Sequence, residues 1–396
     1  MVSEMRFGKI LPIVNLHNKL AGLRAPMQAD LSKLSQTLRH YQALPVSQSL
    51  QQFKLIIPVS EISEITDGEY LAQHAKRFAI LVPATEANFL SWQQNSQNQS
   101  IEIVWQVLRG EDILRLQESD CMMFACSSEV LRQAEMQFFI LKQKGAKLWL
   151  LDSKDSHSMR LSQNLEIDWL PDLTLNPDHN TAEPDSAATR SRLLRLLSLV
   201  VSDADTHDIE SLFKQDSHLS YQLLKLVSSA AFAKTVEIQN FRQAINLLGR
   251  TQLQRWLQLL LYTKPGASNT QINPLLPRAA FRARLMETLF VRQGASKSVL
   301  DCAYMVGIFS LLDELFKMDM RDIIEPLHLS PEIVQALLLG QGKYGEILRF
   351  VEACDNTRIH EIEVGAELMN FLTSEAEFHQ CLLDAYAWVA RICAEF

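Results

Sequence analysis

"QDSHLSYQLLKLVSSAAFAKTVEIQNFRQAINLLGRTQLQRW", residues 215–256, is the stretch on which the fold turns. Leu219, Leu223, Leu226 and Ala230 recur at three- and four-residue steps, the spacing that lines one apolar stripe along a helix. Asp216 and Ser217 stand in front of it as cap candidates. "FRQAINLLGRTQLQRWLQLLLY" (241–262) and, upstream, "RSRLLRLLSLVV" (190–201) are amphipathic in the same way. No convincing strand follows before Phe396, so this half is predicted to be an all-α domain.

Working toward the N-terminus, "PDLTLNPDHNTAEPDSAAT" (171–189) carries three prolines and many short polar residues, too little apolar surface to build a core. The domain boundary is expected here, with residues 176–189 as linker and 190–396 as the helical domain. Ahead of it, residues 1–175 alternate short apolar runs with amphipathic segments. The runs are "ILPIV" (10–14), "LAGL" (20–23), "KLIIPV" (54–59), "FAILV" (78–82), "IEIVW" (101–105), "CMMFA" (121–125), "KLWLL" (147–151) and "IDWL" (167–170). Continuous apolar runs of this length suit strands covered on both faces. Between them, "ADLSKLSQTLRHYQAL" (29–44) and "SEVLRQAEMQFFILKQKG" (128–145) are helical candidates, the latter with Ser127 or Ser128 as N-cap and Gly145 as terminator. Eight runs alternating with helices predict a compact or incomplete (β/α) barrel.

The bulk numbers fit two soluble globular domains. Of 396 residues, 47% are hydrophobic and 21% charged, which places the chain outside the disordered and fibrous classes. The net charge of −8 speaks against nucleic acid as a general partner. Six cysteines without a CxxC pair suit reduced thiols in the cytoplasm, and no stretch has the pattern of a signal peptide or a membrane span. The ten histidines show no metal-ligand spacing. "GQGKYGE" (340–346) follows no strand and reads as a helix stop rather than a phosphate loop.

A barrel would act from the C-terminal ends of its strands, where this chain offers Asn15, Pro58, Val82, Trp105, Ala125 and Leu151, with only Asp152 and Asp168 as nearby acids. In the second half, His207-Asp208 opens a helix, where Thr206 or Asp208 serves as cap or first-turn charge. Arg250 and Arg255, with Gln252 and Gln254, make a positive helix edge that is read as a solvated face, with nucleic acid or an acidic protein as the alternative.

The 215–256 stretch resembles the signature of the HDOD domain on Asp216, Ser228, Ser229, Ala230, Phe232, Ala244, Ile245, Leu248 and Gly249. "YMVGIFSLLDEL" (304–315) continues into the HDOD half of YuxH-type proteins, which join an EAL domain to HDOD. Where HD phosphohydrolases carry His-Asp, this chain has Ser310 and Leu311, with Asp313 as the one ionisable survivor. The resemblance implies a helix kept for packing, without metal chemistry.

Residues 6–178 resemble a degenerate EAL domain, the barrel that hydrolyses cyclic di-GMP with divalent metals. The family's metal-binding Glu falls at Arg24 and its Asn at Pro58. Its paired aspartates fall at Val104 and Trp105, its Lys and Asp near Met123 and Ala125, and its late Glu near Leu151. A guanidinium in place of a carboxylate repels a cation as well as failing to bind it. The resemblance therefore implies a cytoplasmic bacterial signalling scaffold with no catalytic residues, no metal and no cofactor. Its expected partners are signalling proteins in a cyclic di-GMP circuit, not a membrane. The alternatives are a cyclic di-GMP receptor without hydrolysis and a metal-dependent hydrolase of unrecognised type.

Overall fold

The structure, a computed structural model, describes residues 5–15, 20–26, 53–61, 78–94, 102–113, 122–152, 156–171, 184–215, 219–220, 223, 241–263, 273, 275–356, 361–364, 371–372 and 374–395. It divides into two compact units. The first comprises Met1–Asn176 with Glu352–Ala394, the second Pro177–Val351 with the last two residues.

In the first unit seven of the apolar runs become strands: β2 (Leu11–Val14), β3 (Leu20–Arg24), β4 (Lys54–Pro58), β5 (Phe78–Pro83), β6 (Ile103–Val107), β7 (Met123–Cys126) and β8 (Lys147–Leu150), preceded by a strand that no run announced, β1 (Met5–Gly8). Strands β2 to β8 form a curled seven-stranded sheet in chain order; β2 runs antiparallel to β3 and every other pair is parallel. The eighth run, "IDWL", joins the sheet's two edges. Leu150 N donates to Trp169 O at 2.9 Å on the β8 side, while Val14 and Leu170 exchange backbone hydrogen bonds of 2.9 and 2.6 Å on the β2 side. Both edge strands thereby lose most of their unpaired backbone.

Alternate residues fill the interior: Ile13, Ile56, Ala79, Leu81, Val104, Met123, Ala125 and Trp149 form one buried cluster. The outward residues Ile57, Ile80, Val82, Trp105, Phe124 and Leu148 are equally dry, and helices α1 (Glu86–Gln94), α2 (Ser128–Gln133), α3 (Glu135–Gln143) and α4 (Ser156–Asn164) follow strands β5, β7 and β8 in the chain. The single helix predicted over 128–145 is two. Ala134, buried and at φ −126°, ψ 32°, breaks it, although neither Gly nor Pro marks the place. Its ends are as expected: the Ser127 hydroxyl accepts from Val130 N, and Gly145 adopts φ +87°. The helical candidate at 29–44 lies outside the described residues.

The border of the helical domain at 190–396 needs correction. Glu352–Ala394 belongs with the first unit, and it supplies a strand where none was expected. β9 (Glu361–Val364) pairs antiparallel with β1, Met5 opposite Val364 and Gly8 opposite Glu361. Lys9, 1% exposed, donates from Nζ to the carbonyls of Ala353 (2.8 Å) and Asn356 (2.7 Å), and the Tyr386 hydroxyl donates to Ile10 O (3.0 Å). These ties run between residues some 350 positions apart, which no local pattern announces.

The second unit is helical, as predicted: α5 (Pro184–Val201), α6 (Thr206–Lys214), α7 (Phe241–Leu248), α8 (Arg250–Leu260), α9 (Leu275–Arg292), α10 (Lys297–Phe309), α11 (Leu312–Phe316), α12 (Met320–Ile324), α13 (Pro331–Leu339) and α14 (Gly342–Asp355), the last of which ends in the first unit. Helix α5 begins inside the segment taken as linker. Leu219 and Leu223 are buried, as the stripe requires. Gly249 links α7 to α8 at φ +79°, ψ 154°, a backbone conformation that a side chain makes costly. The α13 helix stops at Gly340, as the "GQGKYGE" reading has it.

Candidate functional site

The first place to look is the rim of the curled sheet at the C-terminal ends of its parallel strands. In a parallel pair, residues in register share a face. Arg24 is in register with Ile56, Pro58 with Leu81, and Leu81 with Val104, so Arg24, Pro58 and Val104 face the interior. Met123 and Ala125 belong to the same cluster, and Leu151 packs against it from the rim. Six of the seven positions named from the EAL resemblance thus converge on one surface, and what they present there is one guanidinium and five apolar side chains. Trp105 is the exception. As the neighbour of Val104 it points to the other face, where it lies edge-on to Phe89 at 5.9 Å with no exposure.

Two strand-end positions are also corrected. Because β2 is antiparallel, Asn15 sits at the opposite end of the sheet, and Val82, in register with Trp105, faces outward. The acids near the rim are engaged elsewhere. Asp152 accepts from Ser128 N at 2.6 Å, at the start of α2, where the helix dipole favours a negative charge. Asp168 lies toward the other end, accepting from Lys142 Nζ (2.6 Å) and Leu148 N (2.8 Å). Arg24 is half-buried, and burial pulls its guanidinium below the usual arginine range; no carboxylate of the described residues pairs with it. The buried Asn88 amide ties two rim loops, donating to Ser60 O (3.2 Å) and Pro83 O (3.0 Å).

The second place is the end of α10. Ser310 is held from both sides: its hydroxyl donates to Gly307 O (2.8 Å) and accepts from Arg282 Nη1 (3.1 Å). Arg282 is 4% exposed, so a permanent cation stands beside the position where the HD resemblance expects a metal-binding pair. Sequence reasoning missed it; the available signal was Arg282 between Phe281 and Ala283 in "AAFRARLM", a run that is apolar but for this residue and Arg284. Leu311 is buried, and Asp313 is exposed, accepting from its neighbour Glu314 N at 2.8 Å. Below them the Tyr262 hydroxyl donates to Ile308 O at 2.5 Å, and burial raises its pKa, opposed by Arg282 and aided by Asp313 and Glu314.

Of the remaining signature residues, Ala244 and Ile245 are buried, Leu248 is half-buried, and Gly249 makes the turn. Asp216, Ser228, Ser229, Ala230 and Phe232 lie outside the described residues. His207 and Asp208 are both exposed at the start of α6. The cap is Asp205, one residue before Thr206, accepting from His207 N at 2.7 Å. The positive edge read at Arg250 and Arg255 is used internally. Arg255 Nη2 reaches Glu287 Oε1 (2.7 Å) and Asp301 Oδ1 (2.8 Å) over the Tyr304 ring, and Arg250 holds Asp203 (3.1 Å) and Ala204 O (2.6 Å). Among the described residues, no three His, Cys, Asp or Glu side chains come together as a metal site, and no helix is long and apolar enough to cross a membrane.

Comparison with known proteins bears on part of the chain. The chain is 31% identical over 179 residues to Uncharacterized protein YuxH of Bacillus subtilis, a match covering 44% of this chain and 42% of that protein. It is 27% identical over 195 residues to Cyclic di-GMP phosphodiesterase CdgJ of Vibrio cholerae, covering 47% of this chain and 42% of the relative. The chain thus spans less than half the length of either. No solved structure matches. The family model of the HDOD domain matches residues 186–317, from the first turn of α5 to the residue after α11, and this stretch of the chain is an HDOD domain.

Proposed function

We propose that this chain is a non-catalytic signal-transduction scaffold, acting through protein–protein contacts in a cytoplasmic regulatory circuit related to cyclic di-GMP. The observation that carries the reading is the inner face of the curled sheet. Arg24, Pro58, Val104, Met123, Ala125 and Leu151 share it, and they offer no oxygen donors to a hard divalent cation. In the HDOD domain, Ser310 and Leu311 stand beside the buried Arg282, an environment that disfavours a further positive charge. The HDOD domain and the similarity to a protein named for cyclic di-GMP turnover support a signalling role. Under this reading the first unit is a degenerate EAL-like barrel whose surfaces, rather than its interior, do the work. The test is a cyclic di-GMP hydrolysis assay on the full chain with Mg²⁺ and with Mn²⁺. No turnover above the buffer blank is expected, and turnover would overturn the proposal.

A second reading, a cyclic di-GMP receptor without hydrolysis, is favoured by Arg24 alone, a half-buried cation at the rim with no carboxylate partner among the described residues. Calorimetry separates the two. The scaffold reading expects no heat on titrating the dinucleotide, whereas the receptor reading expects heat that Arg24→Ala abolishes.

A further inference from the structure

Helices α8 and α10 run side by side in the same direction, and two ties fix their register. Arg255 Nη2 donates to Asp301 Oδ1 at 2.8 Å, and the hydroxyl of Tyr262, just past the end of α8, donates to Ile308 O at 2.5 Å. Both ties join residues 46 positions apart. Gln258 lies between them, three residues after Arg255 and four before Tyr262, on the same face of the helix. Its counterpart at the same offset is Tyr304. Gln258 is 0% exposed and Tyr304 1%. Neither end of the Gln258 amide has a hydrogen-bond partner among the described residues, and neither has the Tyr304 hydroxyl. Arg255 Nε is buried and unbonded in the same way. Helix α9, antiparallel to α10 across the short loop 293–296, adds one more group. Arg282 meets Ser310 there, so Thr288, six residues on, comes level with Tyr304, and its hydroxyl is also buried without a partner.

One dry polar group destabilises a core by more than an ordinary hydrogen bond stabilises it, and native interiors do not gather four such side chains in one layer. The chemistry of these groups says what satisfies them. The Gln258 amide offers both a donor and an acceptor. Burial raises the pKa of Tyr304, with Arg255 pulling the other way, so its hydroxyl keeps a proton to donate as well as lone pairs to accept on. The charges close by cancel, Arg255 and Arg284 standing against Glu287 and Asp301. A neutral guest that both gives and takes hydrogen bonds fits, and water is the smallest that does so. The side chains of Arg255 and Asp301 are 21% and 26% exposed, which gives solvent a way in. We propose that α8, α9 and α10 enclose a water-binding site in which Gln258 and Tyr304 are joined through solvent rather than to each other. The site is separate from Arg24 and from Ser310, and it does not depend on the scaffold reading.

The sign of a substitution separates a wet site from a dry one. Gln258→Leu and Tyr304→Phe each remove the polar group and keep most of the shape. If the groups bind water, each single exchange takes a partner from it and is expected to lower the melting temperature of the full chain by about 2–4 °C. If they were buried dry, each exchange would remove an unsatisfied group and raise it. The double exchange expels the water and is expected to lose less than the two singles together. Oxygen-17 relaxation dispersion counts long-lived internal waters in solution, and the double variant is expected to hold fewer than the wild type. A crystal structure of the unaltered chain is expected to place an ordered water within about 3.2 Å of both side chains. A higher melting temperature for either single variant, an unchanged water count in the double variant, or a crystal structure with Gln258 bonded directly to Tyr304 would each overturn the proposal.

Discussion

Gly307 and Ala283 meet backbone to backbone where α10 crosses α9: a Cβ at position 307 would lie 2.5 Å from Ala283 Cα and 2.6 Å from its nitrogen. Two effects of Gly307→Ala therefore oppose each other. Helix propensity alone would favour alanine by about 1 kcal/mol. Forcing two helices apart in a close-packed core costs about 1–3 kcal/mol, and here the obstacle is backbone that no rotamer change can move aside. The clash wins. Gly307→Ala is expected to lower stability by about 1–2 kcal/mol in a denaturant titration, and Gly307→Val by more. A stabilised alanine variant would mean the helices cross elsewhere.

Lys9 gives a pH dependence with a definite sign. Burial pulls its pKa down to about 8, with Cys354 and Asp355 pulling the other way. The unfolded chain holds its lysine protons to about pH 10. Between about pH 8 and 10 the unfolded state therefore binds more protons than the folded state, and stability from this group rises with pH across that window. Lys9→Met removes the titration and also leaves the carbonyls of Ala353 and Asn356 without their donor. At pH 7 the variant is expected to lose about 1–3 kcal/mol. The gap to the wild type should then widen as the pH is raised from 8 to 10, in urea titrations at each pH. A gap that narrows would show that the folded state favours the charged form of Lys9, so that its carbonyl partners outweigh burial.

Much of this architecture was open to reading from the chain. All eight apolar runs of the first half became strand or bridge, because residues dry on both faces leave a composition that single residues cannot disguise. The HDOD half was legible for a second reason. Gly249 and the buried Ala244 and Ile245 answer local backbone and packing demands, and local demands leave local patterns. What escaped was non-local. Nothing in "MRFG" tells of "EIEV" some 350 residues on, and Lys9 reads as a surface lysine until its carbonyl partners are seen. The rim acids escaped for a related reason. Asp152 and Asp168 lie near each other in sequence but at different ends of the sheet, one serving α2 and the other Lys142. Trp105 could have been placed from strand alternation alone, since adjacent strand residues never share a face.

Two arginines, in opposite circumstances, make a paired test of the electrostatics. Arg255 is partly buried, and although burial pulls its pKa down, Glu287 and Asp301 outweigh that and hold it above the usual range. Glu287 is 6% exposed and also receives Arg284 at 2.7 Å, so removing Arg255 strands two acids beside a single remaining arginine. Arg255→Met is expected to cost about 2–3 kcal/mol, below the full penalty for breaking a buried pair because Arg255 keeps some access to water. Adding Glu287→Met should recover part of the loss, since the charge left without its partner is then gone. Arg24 pays for burial with no such return from the described residues. Arg24→Met should therefore be neutral or raise stability by about 1 kcal/mol, a gain of roughly 2–4 °C in melting temperature for a unit of this size. Differential scanning calorimetry on Arg24→Met, Arg255→Met and the Arg255→Met/Glu287→Met double variant reads all three. Should Arg24→Met prove as damaging as Arg255→Met, the rim guanidinium has an anionic partner, and the sheet's interior would be a binding site rather than a filled core.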